Sequence, residues 1–259
     1  MPAAWDTQQY LKFENERTLP SRDLVRRIAL TAPARVLDLG CGPGTSTAVL
    51  CERWPRAEVV GLDSSEEMLQ TARRTLPGVR WVRDDLRSFV PERPFDLVFS
   101  NAVLHWVPDH PTVLRRIWEW VAPGGALAFQ VPARDPPRPP WVEALADLRS
   151  RPPWRGRGAD ADGASPVLSP AEYYEVLAPG AKRVDLWDTV YVHVLAGPGA
   201  VVEWVKGTAL RSWLEVLTDE PERRAFLDAY QTEIARRYPL QSDGNVLFPF
   251  QRRFVIAYR

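Results

Sequence analysis

The chain contains little cysteine or histidine, and its charges carry no excess of either sign. Its 259 residues include two cysteines, three histidines and 33 basic residues balanced by 33 acidic ones. Because the net charge is zero, no overall field attracts nucleic acid or a membrane surface, and we expect neither as a partner. The three histidines show no metal-ligand spacing, so we expect no metal site.

Long apolar runs are also missing. No stretch approaches the roughly 20 residues that span a bilayer. The first residues lack the basic start and apolar run typical of a signal peptide. Cys41 and Cys51 lie on a glycine turn and on the helix after it, so we expect reduced thiols and no disulfide. These features predict a cytoplasmic protein, which we expect to be a monomer or a weak dimer.

The most informative segment is VLDLGCGPGT at residues 36–45, an apolar run that ends in a glycine cluster. The three glycines permit positive φ and a close approach of a ligand to the main chain. A helix predicted over residues 45–53 offers unpaired N–H groups at its start. The G-x-G-x-G spacing and Pro43 disfavour a dinucleotide pyrophosphate. The segment therefore predicts a site for a nucleotide-like ligand.

Further strands, each ending in a polar loop, are predicted at residues 57–63, 79–83 and 95–99. The first of these ends in Asp63, about 20 residues after the glycine turn, where such folds place a carboxylate against ribose hydroxyls. Helical patterns between the strands predict a parallel sheet with ligands at the carboxyl ends of its strands.

The rest of the chain predicts a cover for that sheet. Long strands are predicted at residues 182–194 and 246–258, as an antiparallel pair that completes the sheet. Helices are predicted at about 24–30, 141–149, 199–217 and 220–237. We expect one domain, divided into an N-terminal cover segment (1–33), a cofactor-binding half (34–131), an acceptor-binding loop and helical cover (132–245) and a final strand (246–259).

Several motifs resemble a known enzyme family. DLGCGPG at 38–44, GLDSS at 61–65 and an Asp after the third strand resemble the class I S-adenosylmethionine-dependent methyltransferases. Within that class, the chain resembles the trans-aconitate methyltransferases along nearly its whole length, through NAVLHWVPDH at 101–110, EWVKGTALRSWL at 203–214 and FPFQRRFVIA at 248–257. The resemblance implies an α/β fold: a Rossmann-like, doubly wound, seven-stranded sheet, mostly parallel with an antiparallel last strand, and a helical insertion over the active site.

The cofactor that the resemblance implies is S-adenosyl-L-methionine. In the family, Asp85 matches the position that meets the adenine amino group, with Asp84 as the alternative, and Asn101 matches the position at the methionine end. The expected cofactor-binding residues are Asp38, Gly40, Cys41, Gly42, Gly44, Asp63, Ser64, Asp85, Leu86 and Asn101.

A multiply charged acceptor must be held by cations or donors, because burying it otherwise is costly. Arg17 and Arg252 lie in motifs that match the family, and Arg253 is a further candidate. The expected substrate-binding residues are Tyr10, Arg17, His105, Trp106, Tyr191, Trp204, Arg211 and Arg252. The aromatic members of this set fit a core role equally well.

The implied activity is the formation of a monomethyl ester of a small polycarboxylic acid, with trans-aconitate the first choice. A carboxylate with a pKa of about 4 is already ionised at neutral pH. We therefore expect catalysis by alignment and desolvation, without a general base, and assign His105 to the pocket wall. Two alternatives stay open: a methyltransferase of the same fold for another acid, phenol or amine, and a non-enzymatic regulatory protein that binds the cofactor.

Overall fold

The structure is a computed structural model that describes residues 14–133, 138–157, 167–207 and 210–259. Tyr10 and part of the predicted loop after residue 132 lie outside the described residues, as does the side chain of Arg17. The strands are β1 (Arg35–Leu39), β2 (Glu58–Asp63), β3 (Arg80–Arg83), β4 (Phe95–Asn101), β5 (Val121–Pro132), β6 (Arg183–Leu195) and β7 (Val246–Tyr258). The helices are α1 (Glu14–Arg27), α2 (Thr45–Arg53), α3 (Glu66–Thr75), α4 (His110–Glu119), α5 (Pro140–Arg149), α6 (Pro170–Leu177), α7 (Gly197–Lys206), α8 (Arg211–Val216) and α9 (Glu220–Arg237).

The strands of the described residues form one seven-stranded sheet in the order β3-β2-β1-β4-β5-β7-β6. The pairs from β3 through β5 are parallel, whereas β7 runs antiparallel to β5. The predicted doubly wound sheet, with its antiparallel last strand, is confirmed. Since the strand order reverses between β1 and β4, a crevice is expected there, outside the carboxyl ends of these strands.

The side chains of β1 alternate between the two faces of the sheet, and each face packs against helices. Leu37 and Leu39 belong to the main hydrophobic core, which also contains buried residues of α4 and α6. Asp38 points to the other face, where its carboxylate accepts hydrogen bonds from Ser46 and Thr47 of α2. Successive side chains of a strand face opposite ways, so a single strand supports two helical layers.

Most predicted elements are found close to their predicted bounds, and two differ. The helix predicted over 199–217 is two helices, since α7 ends at Lys206 and α8 begins at Arg211. Gly207 follows α7, and glycine is an unfavourable residue in a helix interior. The helix predicted at 24–30 is α1, which begins at Glu14 and ends at Arg27.

Among the described residues, no helix has both the length and the apolar character that a bilayer crossing requires.

The chain divides into two compact units. The first comprises Met1–Ala133, Ser165–Thr189 and Arg252–Arg259, and the second comprises Arg134–Ala164 and Val190–Gln251. The first contains β1 to β5 and the main core. The second contains α5 and α7 to α9, with buried aromatic side chains such as Trp204 and Tyr230. That the whole chain acts as one domain stays a prediction.

Candidate functional site

A cavity of about 390 Å³ lies within the first unit, at the carboxyl ends of β1, β2 and β4. Its volume is typical of pockets for small molecules, which measure about 300–1,000 Å³. Among the predicted cofactor-binding residues, all but Asp38, Cys41 and Gly44 line it. The lining residues are Gly40, Gly42, Pro43, Leu62, Asp63, Ser64, Met68, Asp84, Asp85, Leu86, Arg87, Asn101, Ala102, Val103, Trp106, Val107 and Pro108.

Two glycines shape the wall that follows β1. Gly40 has φ +67°, and a Cβ there would lie 2.4 Å from a methyl carbon of Val103. Gly42 has φ +54°, and a Cβ there would meet nothing within 4 Å. Side chains rarely adopt such backbone angles, so both positions favour glycine. The space beside Gly42 leaves the main chain open to a ligand in the cavity.

Asp63 combines a structural role with an open binding capacity. One carboxylate oxygen accepts the N–H of Gly42 at 2.9 Å, and the other accepts the N–H of Ser65 at 2.8 Å. Burial raises the pKa of Asp63, while these backbone donors oppose the shift. Each carboxylate oxygen accepts more than one hydrogen bond. The carboxylate therefore supports the glycine turn and still presents lone pairs to hydroxyl donors in the cavity.

Asp38, Cys41 and Gly44 do not line the cavity. The buried Asp38 accepts hydrogen bonds from Ser46 Oγ at 2.8 Å and Thr47 Oγ1 at 2.6 Å, which tie β1 to the start of α2. Burial raises its pKa to about 6, with the two hydroxyl donors opposing. Among the described residues, its other oxygen has no hydrogen-bond partner. Cys41 is a buried free thiol, and Gly44 caps α2.

Replacing Asp38 by asparagine is expected to change how stability depends on pH. The folded chain holds the Asp38 proton with a pKa of about 6, against an ordinary value of 3.8. The folded state thus binds more protons than the unfolded state in this interval, and the Asp38 contribution to the free energy of unfolding falls as pH rises. Asparagine stays neutral, so the stability of Asp38→Asn relative to the parent chain should rise by about 2 to 3 kcal/mol between about pH 4 and pH 7.

Urea unfolding of both proteins across this pH range measures the difference. Asp228→Asn is the matched control, because Asp228 is an exposed residue of α9. Parallel stability curves for Asp38→Asn and the parent chain would show that Asp38 does not titrate in this interval.

The loop after β3 forms the wall expected to face adenine. Asp85 pairs with the guanidinium of Arg87, which holds the pKa of Asp85 below its ordinary value. Asp84 accepts the backbone N–H of Asp85 at 2.7 Å. From α4, Arg116 donates to the carbonyl oxygens of Leu86 and Arg87. Both carboxylates line the cavity, and the choice of Asp85 over Asp84 stays a prediction.

Asn101 is the last residue of β4 and contacts Gln130, which was not among the predicted site residues. Gln130 of β5 donates from Nε2 to Asn101 Oδ1 at 2.6 Å. The main-chain oxygen of Gln130 accepts the N–H of Ala102 at 2.9 Å. Ala102 has φ +58°, which is unusual for a residue other than glycine. The available signal was a glutamine inside the apolar run ALAFQV at 126–131.

His105 and Trp106 occupy different environments, although they are adjacent. Trp106 lines the cavity, whereas His105 does not. His105 is buried with 4% exposure, and its ring lies 4.7 Å from that of Trp106. The pair is part of a short 3₁₀ helix, Leu104–Trp106. Of the two, Trp106 is therefore placed to contact a ligand in this cavity.

Arg252 and Arg253 lie on opposite faces of β7. Arg253 is bound to both carboxylate oxygens of Asp188, at 3.0 and 2.9 Å, and to the carbonyl of Leu168 at 2.8 Å. Arg252 is 7% exposed and pairs in register with Pro132, at the carboxyl end of β5. Because Pro132 and Gln130 share a face, Arg252 lies on the sheet face of Gln130. Arg253 therefore has a structural role, whereas Arg252 is a buried cation beside the carboxyl end of β5 that does not line the cavity.

The remaining predicted substrate residues belong to the second unit. The ring centroid of His193 lies 6.3 Å from that of Tyr191 and 4.6 Å from that of Trp204. Trp204 is 2% exposed. Arg211 pairs with Glu215 one helical turn later, at 3.2 Å. Their role in binding an acceptor stays a prediction.

Comparisons with known proteins agree with this geometry. A family model described as a methyltransferase domain matches residues 36–125. The chain is 49% identical to the trans-aconitate 2-methyltransferase of Azoarcus sp. (strain BH72) over 98% of its own length and 99% of the relative. It is 47% identical to the enzyme of the same name from Methylobacterium nodulans, over 99% of both chains. The solved YcgJ protein of Bacillus subtilis is similar in fold, with a TM-score of 0.61 and 17% identity over 93% of this chain and 98% of that one.

Proposed function

This chain belongs to the trans-aconitate 2-methyltransferase family, and from that membership we propose that it transfers a methyl group from S-adenosyl-L-methionine to one carboxylate of trans-aconitate. The products are a monomethyl ester and S-adenosylhomocysteine, which is left when the bond between sulfur and methyl breaks. The observation that carries this proposal is the agreement of the relatives across nearly the full chain, including the segments after the cofactor-binding half. Glycine turns alone occur in many methyltransferases and do not indicate the acceptor.

The cavity of the first unit fits the cofactor. Asp63 keeps lone pairs for two ribose hydroxyls, and the main chain at Gly42 is open to the ligand. Asp85 and Leu86 are proposed to bind the adenine, with Asp84 as the alternative carboxylate. Asn101 and Trp106 are proposed to border the methionine end. When bound, the cofactor supplies an electrophilic methyl group on a cationic sulfur.

The residues of the chain need only hold, align and desolvate the acceptor. An ionised carboxylate has no proton to lose, so no side chain is required as a base. With the cofactor bound, its positive charge and the negative charge of the acceptor carboxylate would cancel during the transfer. A low-dielectric pocket would favour that change. The chain must therefore bind the acceptor through its remote carboxylates. Arg252 is our first candidate for this contact, with Arg17, Arg211 and Tyr10 as further ones.

A methyl-transfer assay tests the proposal. The full chain is incubated with S-adenosyl-L-methionine labelled in its methyl group and with trans-aconitate, cis-aconitate, citrate, fumarate, a phenol or a primary amine. We expect base-labile label, characteristic of an ester, with trans-aconitate as the preferred acceptor. Label transferred to the phenol or amine would favour the broader small-molecule alternative. Cofactor binding without transfer to any acceptor would favour a regulatory protein.

A further inference from the structure

We propose that Gln130 is a positioning residue, which turns the amide NH₂ of Asn101 into the cavity so that this corner binds an oxygen of the reacting carboxylate. The proposal rests on the proposed function and adds to it a determinant of acceptor class. It concerns a residue that does not line the cavity itself and acts only through its neighbour.

The hydrogen bond between the two amides fixes which atom of Asn101 is available. Asn101 Oδ1 accepts from Gln130 Nε2 at 2.6 Å. An asparagine amide carries its oxygen and its NH₂ group on opposite sides of one carbon. With the oxygen held against β5, the NH₂ group of this cavity-lining residue is the part left to bind a ligand.

Gln130 is itself held in place. It is 1% exposed within the strand, and its main-chain oxygen binds the N–H of Ala102. The side-chain and main-chain contacts together hold Asn101 and the left-handed Ala102, with φ +58°. A non-glycine residue in this conformation persists only where its surroundings enforce it. These contacts hold the Asn101 amide in this orientation without a ligand.

The sheet register supports this orientation of Gln130. Gln130 pairs with Phe254, and Pro132 pairs with Arg252, so Gln130 and Arg252 share a face. The oxygen of Gln130 is buried and has no hydrogen-bond partner among the described residues. On a face that carries a guanidinium cation, a buried carbonyl oxygen is electrostatically preferable to a buried NH₂ group. The Nε2 atom then remains on the side of Asn101.

The orientation matters because the two reacting groups have opposite charges. The methionine end of the cofactor carries the sulfonium, so a group beside it is also close to the attacking atom of the acceptor. An NH₂ donor interacts favourably with a carboxylate oxygen and unfavourably with another N–H donor. The fixed amide therefore favours a carboxylate acceptor and disfavours an amine.

A double-mutant cycle at saturating S-adenosyl-L-methionine tests the proposal. Gln130→Met frees the Asn101 amide to rotate, and Asn101→Ala removes it. Each change is expected to raise the KM for trans-aconitate about tenfold, the effect of one hydrogen bond to a charged group. For Gln130→Met, which leaves Asn101 in the cavity wall, the dissociation constant for S-adenosylhomocysteine should stay within about twofold. Because Gln130 acts through Asn101, the double variant should show no increase beyond that of either single variant.

Gln70→Met is the matched control, because Gln70 is an exposed residue of α3. It should leave KM unchanged. Independent, multiplying effects of Gln130→Met and Asn101→Ala on KM would overturn the proposal, as would a loss of S-adenosylhomocysteine binding in Gln130→Met as large as its increase in KM.

A second measurement needs no folded Gln130 variant. In the ¹H–¹⁵N spectrum of the parent chain bound to S-adenosylhomocysteine, the side-chain NH₂ signals of Asn101 should shift when trans-aconitate is added. An unchanged Asn101 signal at saturating trans-aconitate would overturn the proposal. If the parent chain does not methylate trans-aconitate, the proposed function fails instead, and the same titration with the acceptor found in the assay then tests the contact of Asn101 with the acceptor separately.

Discussion

Replacing Asp63 by alanine should weaken the binding of S-adenosylhomocysteine at least about 100-fold. Its carboxylate faces the cavity while accepting the N–H groups of Gly42 and Ser65. Two hydrogen bonds from ribose hydroxyls to a charged acceptor contribute about 1.5 kcal/mol or more each. A loss of about 3 kcal/mol corresponds to about two powers of ten in the dissociation constant. Isothermal titration calorimetry measures it directly.

Two further variants separate binding from folding. Asp63→Asn keeps one acceptor oxygen, so its affinity should fall between those of the alanine variant and the parent chain. Asp228→Ala, on the exposed side of α9, should bind normally. The alanine variant should still unfold cooperatively, with somewhat lower stability, because the glycine turn and the start of α3 each lose one hydrogen bond. Normal cofactor affinity in folded Asp63→Ala would refute the ribose assignment.

Replacing Arg252 by glutamine should raise the KM for trans-aconitate about 100-fold. Arg252 is buried at the carboxyl end of β5, on the sheet face of Gln130. A guanidinium that grips a carboxylate away from the reaction contributes charge-assisted hydrogen bonds worth about 3 kcal/mol. The dissociation constant for S-adenosylhomocysteine should change by less than about threefold, since the cofactor does not depend on this contact. Steady-state kinetics and calorimetry together give both quantities.

The adjacent arginine supplies the matched control. Arg253→Gln should lower the free energy of unfolding by about 3 kcal/mol, because it leaves Asp188 without the guanidinium that binds both of its oxygens. At a temperature where this variant is folded, its KM for trans-aconitate should stay close to that of the parent chain. Equal effects of Arg252→Gln on acceptor and cofactor would instead identify Arg252 as structural.

The cofactor-binding half could be predicted closely because its signals are local. An apolar strand, a glycine turn and a helix follow one another within residues 36–53, and α2 is found at its predicted bounds, Thr45–Arg53. Asp63 is the last residue of the next strand, so its place at the carboxyl end of the sheet results from strand length and parallel pairing. The cavity contains both Asp63 and the glycine turn.

The acceptor side could not be predicted to the same depth, since its candidates are far apart in the sequence. Arg252 and Arg253 are adjacent members of one motif, and the alternation of β7 places only Arg253 against Asp188, with Arg252 on the opposite face. The apolar run at 126–131 predicted a strand and indicated no separate role for Gln130. Its contact with Asn101 depends on the register between β4 and β5.

Motifs that resemble a known enzyme family identified the family and the cofactor from sequence. The mostly parallel α/β sheet could be predicted because strand, turn and helix preferences act between residues that are close along the chain. Tertiary structure alone decided which side of β7 each arginine takes and which atom of Asn101 is left for a ligand. Both depend on strand register, which is set by packing between segments tens of residues apart.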